Sequence, residues 1–275
     1  MLQVPSLPTP PASCLNALDK LQAEVDACSD FASRVVEAKK LFKSNNRRGN
    51  ATFDEVKSTL RSHAQGAQRC AYCEDSVGDE VEHMRPKDHF PEECFKWDNY
   101  VFACGPCNSP KGNRFAVFEQ GTDELIRYGD PKWPKGSPPP PGDDVLLNVR
   151  HDDPLAFAML DLRTFRFVAM GDIDQRSIER YRYTFIEVLN LSRELLLSAR
   201  RTAYHDYKAL LGDYIALRDG GAPHEEVVRT VEAIKRKGHR TVWEEMKRYH
   251  RFEWLRKVDG FAAERFDRAP ECFSW

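Results

Sequence analysis

No run of apolar residues in this 275-residue sequence approaches the roughly 20 that a membrane-spanning helix needs. The opening stretch, MLQVPSLPTPPASCLNAL, has neither a basic start nor a continuous apolar segment, so it does not read as a secretory signal. No GxxxxGK[ST] loop occurs, which excludes an ATP-binding P-loop in this chain. There is no excess of one charge: the formal net charge is −2, so any surface for a polyanion must be local. No internal repeat is present. The eight cysteines do not form a disulfide pattern. Four sit in two Cys-x-x-Cys pairs, while Cys14, Cys28, Cys94 and Cys272 are scattered. That distribution points to a cytoplasmic protein with one zinc site and four ordinary thiols.

What is present suits a soluble chain of one large or two modest domains, 41% hydrophobic and 31% charged. Residues 1–15 are Pro- and Ser-rich and read as extended. Leu18, Leu21, Val25, Phe31, Val35 and Leu41 recur at helical spacing and predict one or two helices over 15–43. Asn45, Asn46, Gly49 and Asn50 break the pattern, and Thr52 with Glu55 offers a capping box for a further helix. Pro138–Pro141 reads as a stiff exposed spacer, and 155–170 as two short apolar runs about a turn at Arg163–Thr164. Beyond Asp174 helical patterns dominate, broken at Gly220–Pro223 and resuming over 225–257.

The chemistry concentrates in RCAYCEDSVGDEVEHMRPKDHFPEECFKWDNYVFACGPCNSPKGNRF, residues 69–115. Cys70, Cys73, Cys104 and Cys107 supply four thiolates in two pairs, the ligand set of a closed, tetrahedral, structural zinc site. The stretch between the pairs is too long for a simple zinc ribbon and must hold folded material. Glu82-His83 ends a strand-like run that Pro86 terminates, Trp97–Ala103 is a second strand candidate, and a helix is expected from near Asn108 with Lys111 one turn on. Each residue alone has an ordinary reading: an exposed strand end, a turn, a helix cap, a solvated lysine.

Together, Glu82-His83, Pro86-Lys87, Trp97-Asp98-Asn99 and CGPCNSPKGNRF from Cys104 to Phe115 resemble the HNH endonuclease family, which has a ββα-metal fold. The resemblance implies His83 as general base, Glu82 and Asn108 as ligands of a catalytic Mg²⁺ or Mn²⁺, Asn99 as the residue that ties down the loop orienting the base, and Lys111 as a contact of the substrate phosphate. The chemistry agrees. A neutral imidazole can take a proton from water at physiological pH. A carboxylate and an amide oxygen suit a hard ion that binds phosphate. Arg85, Lys87 and Arg114 are read as backbone contacts of a nucleic acid. His89 is read as a loop histidine without a role.

LLNVRHDDP (146–154) and TFIEVLNLSRELLLSAR (184–200) extend the resemblance toward the longer HNH subfamily found with an ATPase in Septu-type and some retron antiphage systems. Val149, Asn190 and Ser192 depart from that pattern. Asp152-Asp153-Pro154 reads as a turn and helix start rather than a metal site. Residues 229–257 hold ten Lys and Arg against four Glu, interleaved with Trp243, Tyr249, Phe252 and Trp254; this reads as core aromatics under a solvated basic face rather than a nucleic-acid grip.

The expectation is an α+β, mostly helical protein: a helical region at 1–68, a zinc-stapled ββα-metal module at 69–118, a Pro-rich linker with short strands at 119–171, and a helical region at 172–275. It would hydrolyse nucleic-acid phosphodiesters, DNA by preference, as the effector of a defence complex with an ATPase. The rivals are an RNA-cleaving HNH nuclease, for instance one acting on tRNA, and a zinc-stapled binding or assembly module without catalysis.

Overall fold

The computed structural model describes residues 1–4, 9–62 and 68–275. It is α+β and 54% helical. The helical spacing at the start resolves into α1 (Ala12–Asp26), α2 (Phe31–Asn45) and α3 (Ala51–Ser62). Of the Pro- and Ser-rich start expected to be extended, residues 5–8 lie outside the described residues, and the chain is already helical at Ala12. Asp30 sets the α1–α2 turn by accepting from the Ser33 amide at 2.9 Å. Asn50, not Thr52, caps α3: its side chain accepts from the Phe53 amide at 3.1 Å, which places Thr52 inside the first turn, where it has no capping role.

Strands β1 (Glu80–His83) and β2 (Tyr100–Ala103) pair antiparallel, Glu82 opposite Val101 and His83 opposite Tyr100. The expected second strand over 97–103 is shorter, because Trp97–Asn99 forms a 3₁₀ turn. The helix after the second knuckle, α4 (Gly105–Lys111), starts at Gly105 rather than near Asn108, with Pro106 in its first turn. Strand pleating sends alternate residues to opposite faces. Val81, Tyr100 and Phe102 face the N-terminal helices and close a small core with Leu18, Val25, Phe53, Val56 and Leu60. Buried Gln22 of α1 stitches this junction, donating to the Pro91 carbonyl at 3.1 Å and accepting from the Phe95 amide at 2.9 Å.

After the knuckles, β3 (Ala116–Glu119), β4 (Leu125–Arg127) and β5 (Gly142–Asp144) form a sheet in the order β4-β3-β5. The stretch expected as linker is therefore built into the fold, with Trp133 fully buried beneath it. Gly142 is required where the proline run re-enters: a Cβ there would lie 2.0 Å from the Phe118 carbonyl oxygen. β6 (Ala158–Leu160) and β7 (Phe167–Ala169) form the hairpin expected about 163–164. Asp152 pairs with Arg180 and Asp153 caps a 3₁₀ turn, so the Asp-Asp-Pro run is a turn and helix start.

The C-terminal part is α5 (Gln175–Tyr181) with a π-helical continuation Arg182–Val188, α6 (Glu194–Asp219), α7 (His224–Arg236), α8 (Arg240–Arg251), α9 (Trp254–Val258) and α10 (Gly260–Arg268). The helical run over 225–257 is interrupted at His239 and Glu253, both at positive φ. Trp243 and Tyr249 are core, whereas Phe252 and Trp254 are exposed and stacked at 5.0 Å. Much of the basic excess is neutralised locally, as in Lys237–Asp206, Arg240–Glu244 and Arg256–Asp267. Among the described residues no helix is long and apolar enough to cross a membrane.

Candidate active site

The four knuckle cysteines are buried, and their sulfurs all lie within 4.8 Å of one another. Cys73 and Cys104 Sγ are 3.7 Å apart, close to the ~3.8 Å edge of a tetrahedron with Zn–S bonds of ~2.3 Å. The residues thus fit a zinc ion, and none presents an open face to a substrate. Arg193, preceding α6, donates to Cys107 Sγ at 3.5 Å, adding a positive charge beside the cluster.

Beside this frame is a cleft of about 370 Å³ lined by Asp79–His83, Lys87, Asn108 and Asn113 on one side and by Phe42, Asn46 and Lys57 on the other. Five consecutive residues of and before β1 line it, so it runs along the strand edge that β2 leaves unpaired. That edge is reached from both faces of the strand: Glu80 and Glu82 point toward α4, and His83 toward the N-terminal helices.

His83 is 4% exposed and wedged between the rings of Phe42 at 4.6 Å and Tyr100 at 5.2 Å. Its Nε2 lies 2.9 Å from the Cys94 carbonyl, which can only accept, so Nε2 carries the proton and Nδ1 keeps its lone pair. Burial, reinforced by the charge of Lys87, pushes the imidazole down to about 3. The ring is neutral at physiological pH, with a free accepting lone pair but a lower proton affinity than an exposed imidazole.

Asn99 sits where the 3₁₀ turn meets β2. Its side chain accepts from the Arg85 amide at 2.7 Å and donates to the carbonyls of Arg85 and Glu93, both at 3.0 Å. It clasps the loop between β1 and β2 at two points, and that loop carries Cys94, the partner of His83. Arg150, from the stretch after β5, holds the same turn by donating to the Trp97 and Tyr100 carbonyls.

Glu82 is 6% exposed and faces the fully buried Lys111, which forms an ion pair with it and donates to the His83 carbonyl at 2.7 Å. Burial raises the Glu82 carboxyl above its usual range, with Lys111 opposing the shift. Lys111, expected at the substrate phosphate, is instead beneath the site: α4 packs against β1 and turns the side chain inward. Asn108 Nδ2 donates to Glu80 at 2.6 Å, which leaves its Oδ1 available. A carboxylate and an amide oxygen in one cleft fit a hard divalent ion that keeps most of its waters.

Of the three basic residues read as nucleic-acid contacts, Lys87 lines the cleft. Arg85 does not: it is held by Glu93 at 2.6 Å and Asp144 at 2.8 Å, the latter supplied by β5. Arg114 is exposed, also outside the cleft, and donates to the Glu187 carbonyl at 3.0 Å. His89 is a core residue, with Nε2 2.7 Å from the Asn113 carbonyl. Sequence reasoning missed Asp79, Glu80, Asn46, Lys57 and Asn113. Glu80 was within reach, because residues two apart on a strand share a face with Glu82. Asn46 and Lys57 carried no signal, being brought in from distant helices.

Residues 70–114 match the family model described as HNH endonuclease. No curated protein matches the sequence. The matched span contains the four thiolates, Glu82, His83, Asn99, Asn108 and Lys111. It suggests a nuclease, and with it metal dependence and a nucleic-acid substrate.

Proposed function

We propose that this protein is a metal-dependent endonuclease in which His83 is the general base. The observation that carries the reading is the convergence of Glu82, His83 and Asn108 on one cleft beside the four-thiolate cluster. Bound by the Glu82 carboxylate and Asn108 Oδ1, a magnesium or manganese ion would supply the positive charge that a departing 3′ oxygen needs. His83 Nδ1 takes a proton from the attacking water while Nε2–H stays on the Cys94 carbonyl, so the ring cannot rotate away. The water oxygen bonds to phosphorus as the P–O3′ bond breaks, leaving a 5′-phosphate and a 3′ oxygen that solvent protonates to the hydroxyl. Asn99 fixes the loop bearing Cys94, Glu80 orients Asn108, and Lys111 positions Glu82 and the end of β1. Zinc in the cysteine cluster is structural in this scheme.

DNA as preferred substrate, an ATPase partner, a role in antiphage defence and a cytoplasmic location rest on the resemblance of 146–154 and 184–200 and on the cysteine usage. Those two segments touch: the Leu147 amide donates to Thr184 Oγ1 at 2.9 Å. The test is incubation of zinc-loaded protein with plasmid, oligonucleotides and RNA in Mg²⁺ or Mn²⁺. Cleavage that chelator abolishes and fresh divalent ion restores is expected. Failure to cut any of these in either metal would overturn the reading.

A further inference from the structure

We propose that the cleft admits one unpaired strand, so that the substrate is single-stranded nucleic acid rather than an intact duplex. This rests on the endonuclease reading above. The first argument is access. The base is not on a protruding face that could enter a groove. It lies at the bottom of a concavity, roofed by Phe42 from α2 at 4.6 Å. The space before it is about 370 Å³ and open to solvent on one side. A flexible single strand can bend a phosphate down to a base so recessed, whereas a stiff duplex must be deformed to do so. The duplex grooves, ~6–12 Å wide, admit a helix or a ribbon as a wedge, the inverse of this shape.

The second argument is the chemistry of the wall that α2 and α3 supply. The side-chain oxygen of Asn46 is buried and has no hydrogen-bond partner among the described residues, so a donor entering the cleft could satisfy it only if the side chain turned outward. Lys57 of α3 and Lys87 make no ion pair among the described residues; Lys87 lies over the Phe42 ring at 5.1 Å, and its charge acts on Glu82 and His83. Two ammonium groups outside any salt bridge line the same cleft as Glu82 and Asn108, where they would meet the phosphates flanking the cut.

The experiment compares one labelled sequence as single-stranded DNA, single-stranded RNA and DNA duplex in Mn²⁺, with binding measured in parallel on His83→Ala by fluorescence anisotropy. At least tenfold faster cutting of a single strand is expected, and whichever of DNA or RNA is cut names the source. Lys57→Ala should lower single-strand cutting about tenfold while circular dichroism stays unchanged. Phe42→Leu, which thins the roof, should raise duplex cutting relative to single-strand cutting. Equal or faster cutting of the duplex by the wild type overturns the proposal and leaves the endonuclease reading standing. Single-strand-selective binding that Lys57→Ala weakens, without any cleavage, upholds the cleft assignment and overturns the endonuclease reading. Neither cleavage nor selective binding overturns both.

Discussion

The Nε2 of His83 and the main-chain carbonyl of Cys94 are 2.9 Å apart, and this contact decides which nitrogen of the imidazole can act. A carbonyl only accepts, so the tautomer is set by the backbone, and the loop that supplies it is in turn clasped by Asn99.

Replacing His83 by Ala should lower phosphodiester cleavage by about 10²–10⁴-fold, the usual worth of a positioned base, while metal content and far-UV circular dichroism stay at wild-type values. Cleavage at the wild-type rate by the purified variant would remove His83 from the mechanism.

Lys111 is fully buried against Glu82 and the His83 carbonyl. Lys111→Met leaves a buried carboxylate without its cation and should cost ~3–5 kcal/mol in urea unfolding. Combining it with Glu82→Gln should recover much of that loss, because the stranded charge is gone. Two single variants whose costs simply add would show that the pair is not coupled.

Glu80 holds the Asn108 amide at 2.6 Å. Glu80→Ala should raise the Mn²⁺ concentration needed for half-maximal cleavage by ~10–100-fold with little change in the rate at saturation, as expected when a group orients a ligand without being one. An unchanged metal requirement would refute that role.

Cys104→Ser removes one of four mutually close thiolates. The variant should lose stoichiometric zinc, and its circular dichroism and thermal transition should change, since ligation and folding of such a site are one event. A zinc-free variant that kept the wild-type transition would show that the cluster is dispensable for folding.

Glu245 lies in the C-terminal core, and burial raises its carboxyl from the ordinary 4.5 to about 7 against the opposing pull of Arg248. Between these values the folded chain keeps a proton that the unfolded chain has lost. Its contribution to stability is therefore fully present below about 4.5, falls as pH rises, and is exhausted above about 7, by up to ~3 kcal/mol. Urea titrations at pH 5 and pH 8 should show the wild type losing stability relative to Glu245→Gln over that interval. Parallel curves would place the carboxyl at its ordinary value.

The sequence by itself determined the four-cysteine frame and which residues are candidates for the chemistry. Ligand spacing is local, so Cys-x-x-Cys pairs and a Glu-His dipeptide are legible one residue after another; the four thiolates cluster, and Glu82, His83 and Asn108 line one cleft. Only the tertiary structure decided how these residues are used. Neighbours on a strand point to opposite faces, so Glu82 and His83 need different walls. α4 supplies one and turns Lys111 inward, which no linear spacing reveals. The other comes from α2 and α3, whose apolar faces pack on β1 and β2 and bring Phe42 against His83 and Asn46 and Lys57 into the same cleft. Arg85 was drawn away by Asp144 on β5, a contact between residues far apart in the chain. Packing of distant apolar faces fixes such positions, and the pattern that encodes it specifies which face is buried, not what it is buried against.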